Sequence, residues 1–199
     1  QDRLFLSDVG LADGEFHPDG ERFITTGADG QTIVWDIETG LELQSIQRED
    51  RAFFFAINPQ GNIVVVAGPS GILQIWNLET DEVTEHMYYD APAFNSDGSV
   101  MVTANFWAGV ATIFIWETKT FTVVDSFEAH TDFIPNLTFS SDDSLLISVS
   151  GGWDGTVKVW DFDTHDLLRE RQFGNGGIVW DAIMLSDDER ILVASSTGE

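Results

Sequence analysis

The sequence predicts an all-β protein built from repeated groups of four short strands. Four tryptophans recur at intervals of 41, 40 and 44 residues, and each ends a short run rich in aliphatic or β-branched residues: Trp35, Trp76, Trp116 and Trp160. An acidic or amide residue follows each of them. A period of about 40–45 residues indicates one structural element copied several times, and no stretch shows a helical period of useful length.

The fourth repeat shows the order of its strands most clearly. A first apolar strand at 133–139 leads through a Ser- and Asp-rich turn to a second strand at 145–150. The turn at 151–155 precedes the third strand, which ends at Trp160, and a fourth strand follows at 167–173. Turn residues of these types accept φ > 0 or bond their own backbone. The pattern therefore predicts four short strands per repeat.

The other repeats fit the same frame. We place all of them in one domain covering 1–199, with repeats at about 10–46, 47–86, 87–127 and 128–173 and a partial repeat at 174–199. The third repeat carries a modified loop, Asn105 to Gly109, between its second and third strands.

These features resemble the WD-repeat family, whose four-stranded antiparallel blades form a β-propeller. The residues that carry the resemblance are Trp35-Asp36, Trp160-Asp161, the turns Asp29-Gly30 and Asp154-Gly155, and the near Gly-His motif Ala129-His130. The resemblance implies about four and a half blades of a larger, about seven-bladed ring. We expect the chain to be a piece of a longer protein. A ring completed by another copy or subunit, and a small closed ring with an irregular last blade, stay open as alternatives.

The same resemblance implies a structural hydrogen-bond network in which a histidine, a Ser or Thr, the turn aspartate and the repeat tryptophan are linked. In the fourth repeat these are His130, Ser148 or Ser150, Asp154 and Trp160. The first repeat keeps Asp29 and Trp35 but has no histidine. We expect the second and third repeats to depend more on apolar packing, with fewer buried polar networks.

The charge of the chain is strongly negative. It carries 34 acidic and 9 basic residues, a net charge of −25. Such a surface repels phosphate backbones and anionic lipid, so we expect neither nucleic acid nor membrane as a partner. The acidity is explained either by solubility in a salty environment or by a basic partner. The chain has no cysteine, so disulfides and thiolate metal sites are excluded.

The sequence predicts no catalytic, cofactor or metal site. No two of the four histidines have metal-ligand spacing. The pairs Asp142-Asp143 and Asp187-Asp188 occupy the same turn of two repeats, which favours a turn role over ion binding. The glycine-rich stretches lack a P-loop lysine, and no Gly-x-Ser-x-Gly elbow is present. We therefore expect a protein that is not an enzyme.

Some aromatic residues break the tryptophan period and are candidates for partner binding. Trp107, Trp153 and Trp180 lie outside the repeated position. The resemblance implies that the positions of Arg51, Tyr88, Phe133 and Trp153 face the rim where partners bind, and exposed aromatic and Arg residues are typical binding anchors.

The sequence thus predicts a non-catalytic scaffold that binds a protein or peptide, which would be basic if the acidity serves recognition. The alternatives are an assembly module that self-associates through open blade edges and, less favoured, a propeller enzyme. We expect a cytoplasmic location, with a secreted or periplasmic one left open.

Overall fold

The computed structural model describes residues 10–87, 89–173, 178–185 and 190–196. Over these residues all regular secondary structure is β-strand. Accordingly, this part of the chain has no helix that is long and apolar enough to cross a bilayer. The chain divides into two compact units, Gln1–Tyr89 (unit 1) and Asp90–Glu199 (unit 2).

Unit 1 contains two four-stranded antiparallel sheets, each with its strands in chain order. The first sheet consists of β1 (Leu11–Phe16), β2 (Arg22–Gly27), β3 (Gln31–Asp36) and β4 (Glu42–Gln47). The second consists of β5 (Phe54–Ile57), β6 (Ile63–Ala67), β7 (Ile72–Asn77) and β8 (Val83–Met87).

Unit 2 contains two further four-stranded antiparallel sheets and one two-stranded sheet. The third sheet consists of β9 (Asp90–Phe94), β10 (Val100–Trp107), β11 (Val110–Glu117) and β12 (Thr122–His130). The fourth consists of β13 (Asn136–Phe139), β14 (Leu145–Val149), β15 (Thr156–Asp161) and β16 (Leu167–Gln172). The fifth pairs β17 (Val179–Met184) with β18 (Ile191–Ser195). The predicted fold class, all-β with repeated four-stranded antiparallel blades, is confirmed.

The third sheet differs from the sequence expectation at its central hairpin. The segment predicted as a loop from Asn105 onward is mostly strand, because β10 runs to Trp107 and pairs there with Val110. Only Ala108 and Gly109 form the turn, with φ of 53° and 87°. Two consecutive positive φ values are typical of the type I′ turn, whose twist matches that of the flanking strands.

Within each unit, neighbouring sheets pack face to face through alternate residues of their central strands. Ile24 and Val34 of the first sheet share a core with Val64, Val66 and Trp76 of the second. Two similar cores join the third sheet to the fourth and the fourth to the fifth. Side chains alternate between the faces of a strand, so each sheet contributes one face to each neighbour.

Three of the four period tryptophans are core residues, as the sequence predicts. Trp76, Trp116 and Trp160 are buried. Trp35 is only partly buried, because it pairs with Phe23 on the face of the first sheet turned away from the second.

The turns between first and second strands also link neighbouring sheets. In unit 1 the buried His17 ring contacts the Gly61 carbonyl oxygen at 2.6 Å. In unit 2 the Asp143 carboxylate accepts hydrogen bonds from the backbone N–H of Ser96 at 2.8 Å and from its hydroxyl at 2.6 Å. Both acids of the fourth repeat are therefore turn residues: Asp143 bridges the two sheets, and Asp142 accepts hydrogen bonds from Ser140 and Ser144 of its own turn. The second pair, Asp187-Asp188, lies outside the described residues.

Candidate interaction surface

Trp153 is the most exposed large hydrophobic residue of the described chain, with 89% of its surface accessible. It lies in the connection between β14 and β15. Its backbone N–H donates to Asp132 Oδ2 at 2.9 Å, and the adjacent Gly152 has a φ of 58°. The backbone is thus held in place while the indole projects into solvent.

Phe133 lies beneath this connection and is half-buried. A Cβ added at Gly151 would overlap the Phe133 ring, and the Gly151 N–H donates to the Phe133 carbonyl at 2.9 Å. Phe133 therefore packs against the loop that presents Trp153 and keeps part of its ring exposed.

Trp107 ends β10 beside the two-residue turn and is 77% exposed. The next residue inward, Phe106, is 43% exposed. The third and fourth sheets are neighbours, since β9 contacts β13 and their turns meet through Ser96 and Asp143. In both sheets the connection between second and third strands leaves at the same end. Trp107 and Trp153 therefore lie at corresponding ends of adjacent sheets.

The structure does not group the other candidate binding residues, Arg51, Tyr88 and Trp180, with Trp107 and Trp153. Arg51 is exposed in the connection between β4 and β5 of unit 1. Tyr88 lies outside the described residues. Trp180, in β17 of the fifth sheet, is 53% exposed.

A buried hydrogen-bond network lies beside the Trp153 loop. The Trp160 indole N–H donates to Ser148 Oγ at 2.8 Å, and that oxygen lies 2.7 Å from His130 Nε2. On the other side of the ring, His130 Nδ1 lies 3.0 Å from Thr156 Oγ1 and 3.5 Å from Asp154 Oδ1. The structure therefore brings together all the residues proposed for the fourth repeat, with Ser148 in the serine position.

One tautomer of His130 satisfies this network. The Asp154 carboxylate can only accept, and the Thr156 hydroxyl donates to it, so the proton of the neutral ring lies on Nδ1 and points toward Thr156 and Asp154. Ser148 Oγ then accepts from the Trp160 N–H and gives its own proton to His130 Nε2. Burial lowers the pKa of His130 and outweighs the opposing effect of the Asp154 carboxylate. His130 is therefore a neutral, structural histidine near pH 7.

We expect the free energy of unfolding to fall as the pH drops from 7 to 5.5. The unfolded chain binds a proton at the usual histidine pKa of about 6.5, whereas folded His130, with its lowered pKa, binds one only at lower pH. The stability that the neutral His130 gives the folded chain is therefore present above pH 6.5 and is lost as the pH falls from 6.5 toward the lower pKa of the folded state. Urea unfolding across this range measures the slope. The slope should be smaller in His130→Gln, and an identical slope would contradict this role. The depressed pKa of Asp154 acts only in more acidic solution.

The other repeats anchor their tryptophans with smaller networks. Trp35 and Trp116 each donate an indole N–H at 2.8 Å to a threonine of the preceding strand, Thr25 and Thr103. Asp29 accepts from the Gln31 N–H and so stabilises its own turn.

The second repeat contains a buried polar network that sequence reasoning missed. The Arg48 side chain is 1% exposed and pairs with Asp50 at 2.9 Å. It also donates to the backbone carbonyls of Val66 at 3.1 Å and Ile72 at 2.9 Å. Arg48 precedes Ile57 by nine residues, and His130 precedes Phe139 by the same distance. This shared spacing is the feature of the sequence that could have indicated a buried polar residue at Arg48. The expectation that the second repeat would have fewer buried polar networks is wrong.

Asp50 is the electrostatic partner of this arginine. Burial alone would raise the pKa of Asp50, but hydrogen bonds from Ser70 and the charge of Arg48 outweigh it and hold the pKa below its usual range. The Ser70 backbone N–H donates to Asp50 Oδ2 at 2.9 Å. Ser70, at the turn position that holds Asp154 in the fourth repeat, therefore binds an aspartate supplied by the preceding connection.

Within the described ranges, no group of three or more His, Asp or Glu side chains is placed to hold a metal ion. What the surface offers is exposed aromatic area on fixed backbone, flanked by carboxylates.

Repeated four-stranded sheets, with three of the four period tryptophans bonded to the strand before them, resemble the WD-repeat class of protein, and comparison with known proteins supports this resemblance. The family model for the WD domain, G-beta repeat, matches residues 7–36 and 121–161. The resemblance to the WD-repeat family predicted from the tryptophan period is confirmed.

A particular relative is "Protein groucho" of Drosophila melanogaster. The two are 26% identical over 167 residues, which cover 77% of this chain and 22% of that protein. The chain thus spans about a fifth of the length of the curated relative it matches. Together the two matches support a protein-interaction scaffold in general terms.

Proposed function

We propose that this chain is a non-catalytic scaffold that binds a protein or peptide through the exposed connections of the third and fourth sheets. The observation that carries the proposal is the rigid presentation of Trp153. Its loop is bonded to Asp132 and Phe133, whereas its indole is 89% exposed. An aromatic side chain on fixed backbone loses little entropy when it is buried by a partner.

Trp107 extends the same surface on the adjacent sheet. Its type I′ turn fixes the hairpin, so two large aromatic side chains are offered by two rigid connections. Arg51 and Tyr88 of unit 1 are proposed separately as partner-binding residues, as implied by the family resemblance.

Charge selects the kind of partner in this proposal. With a net charge of −25, the chain repels acidic proteins and attracts basic ones at long range. We propose that the partner is a basic segment carrying an apolar or aromatic residue that packs on Trp153.

The test is a selection of peptides from a random library on the immobilised chain, followed by affinity measurement with variants. Trp153→Ala should weaken the selected peptides about 30-fold, the effect of losing a central anchor worth about 2 kcal/mol. Leu168→Ala, which removes an exposed side chain from the outer strand β16, should leave the affinity within about twofold.

Equal affinities for the parent and Trp153→Ala would overturn the proposed surface. Light scattering of the same preparation addresses the alternative function, assembly. In that case the exposed Ile183 and Leu192 of the fifth sheet would be covered by another copy, and the mass would rise with concentration.

A further inference from the structure

A cavity of about 500 Å³ lies in unit 1, between the β4–β5 connection and the strands β7 and β8. Its polar lining comes from Arg48, Glu49 and Asp50 of the connection and from Gln74 and Glu85 of the strands. Arg48 is held by Asp50 and by two backbone carbonyls, so its charge is compensated. The carboxylates of Glu49 and Glu85 are left to give the cavity a negative potential.

Gln74 lies in the wall of this cavity and carries a buried hydrogen-bond acceptor that no described residue satisfies. The residue is 8% exposed, and its Nε2 donates to Glu85 Oε1 at 2.9 Å. Because a carboxylate can only accept, this bond fixes the orientation of the amide. Gln74 Oε1 is buried and has no hydrogen-bond partner among the described residues. A buried acceptor of this kind costs free energy until a donor reaches it.

The fourth repeat shows which donor suits this position. Lys158 stands two residues before Trp160, as Gln74 stands two residues before Trp76. Lys158 is paired across the strands with Glu170, and Gln74 is paired in the same way with Glu85. The Lys158 ammonium donates to the Ala129 carbonyl at 2.7 Å. In the fourth repeat the chain itself therefore places an ammonium group opposite the strand-four glutamate.

We propose that the cavity of the second repeat binds the side chain of a lysine supplied by a partner polypeptide. The ammonium would donate to the carboxylates of Glu85 and Glu49, with its aliphatic stem along Ile72, and a rotation of the Gln74 side chain would bring Oε1 to it as a third acceptor. This site goes beyond the proposed function and does not depend on the Trp153 surface.

The probe is lysine with its backbone capped as N-acetyl and N-methylamide, titrated into the intact chain and followed by NMR. We expect saturable shifts of the Gln74 side-chain amide and the Arg48 Nε–H, with a dissociation constant on the order of 1–10 mM. The same compound with an acetylated ε-amine should not bind, since it lacks the charge.

Three variants make the site assignment specific. Glu85→Gln keeps the shape of the cavity and removes one carboxylate, so it should weaken the probe about tenfold. Gln74→Lys should abolish binding, because it places an ammonium opposite Glu85 as Lys158 stands opposite Glu170. Glu170→Gln removes the same charge at the equivalent position of the fourth repeat and should leave binding within about twofold.

The proposal would be overturned if the NMR shifts did not saturate and were spread over many acidic residues. It would also be overturned if Glu85→Gln and Glu170→Gln weakened the affinity for the probe equally. Binding of the ε-acetylated compound with the same affinity would overturn it as well. Because the probe contains no aromatic group, these results are independent of the outcome with Trp153→Ala.

Discussion

Replacing Arg48 by leucine should lower the free energy of unfolding by about 3–4 kcal/mol. The substitution leaves the Asp50 carboxylate without its cation and removes the donors to the carbonyls of Val66 and Ile72. Urea unfolding, together with amide exchange in β6 and β7, would measure the loss.

Two controls separate this effect from the removal of any positive charge. Arg51→Leu changes the same residue type three positions along the chain, where the side chain is exposed, and should change stability by no more than about 0.5 kcal/mol. Adding Asp50→Asn to Arg48→Leu should recover part of the loss, because it removes the unpaired carboxylate. A loss below about 1 kcal/mol in Arg48→Leu would show that this network does not stabilise the second sheet.

Ser148→Ala should cost about 2–4 kcal/mol. The hydroxyl bonds both the Trp160 indole and the His130 ring, and the substitution leaves two polar groups unpaired in a buried site. The chemical shift of the Trp160 indole proton should change with the loss of its acceptor, and urea unfolding should give the free energy.

Ser150→Ala is the matched control, because Ser150 is equally buried and lies two residues along the chain. Its hydroxyl has only long contacts of 3.4–3.5 Å with backbone carbonyls, so we expect a loss of about 1 kcal/mol or less. Equal losses in the two variants would mean that Ser148 acts by volume and not through the network.

The tryptophan period was sufficient to predict the repeated sheets, because a residue that must be buried at one place in each repeat leaves a regular trace in the sequence. The network of the fourth repeat is predicted by the resemblance to the WD-repeat family and not by the period itself. The sequence does not decide between Ser148 and Ser150, because strand register determines which hydroxyl faces the Trp160 indole.

Other features depend on contacts that no local pattern records. Arg48 resembles a surface charge in the sequence, and only the close approach of the second sheet's backbone shows that it is buried. Phe133 stays a predicted anchor, but the room that Gly151 leaves for its ring beneath the loop is not visible in the sequence. The sequence predicts a loop from Asn105 to Gly109, whereas the structure continues the strand to Trp107. The pairing of Trp107 with Val110 depends on positive φ at Ala108 and Gly109, and an alanine in the sequence does not indicate a positive φ.

The different residues at the Arg48 and His130 positions bear on how repeated sheets avoid exchanging strands during folding. Strands of similar pattern compete for the same neighbours, and apolar packing alone discriminates poorly between them. His130 binds the hydroxyl of Ser148, 18 residues along the chain, so a strand without that hydroxyl would leave the buried ring nitrogen without a partner. Arg48 instead takes its carboxylate from Asp50 in the same connection and otherwise donates to backbone carbonyls, which any strand offers. The fourth repeat therefore disfavours a strand from another repeat through a side-chain contact that the second repeat does not use.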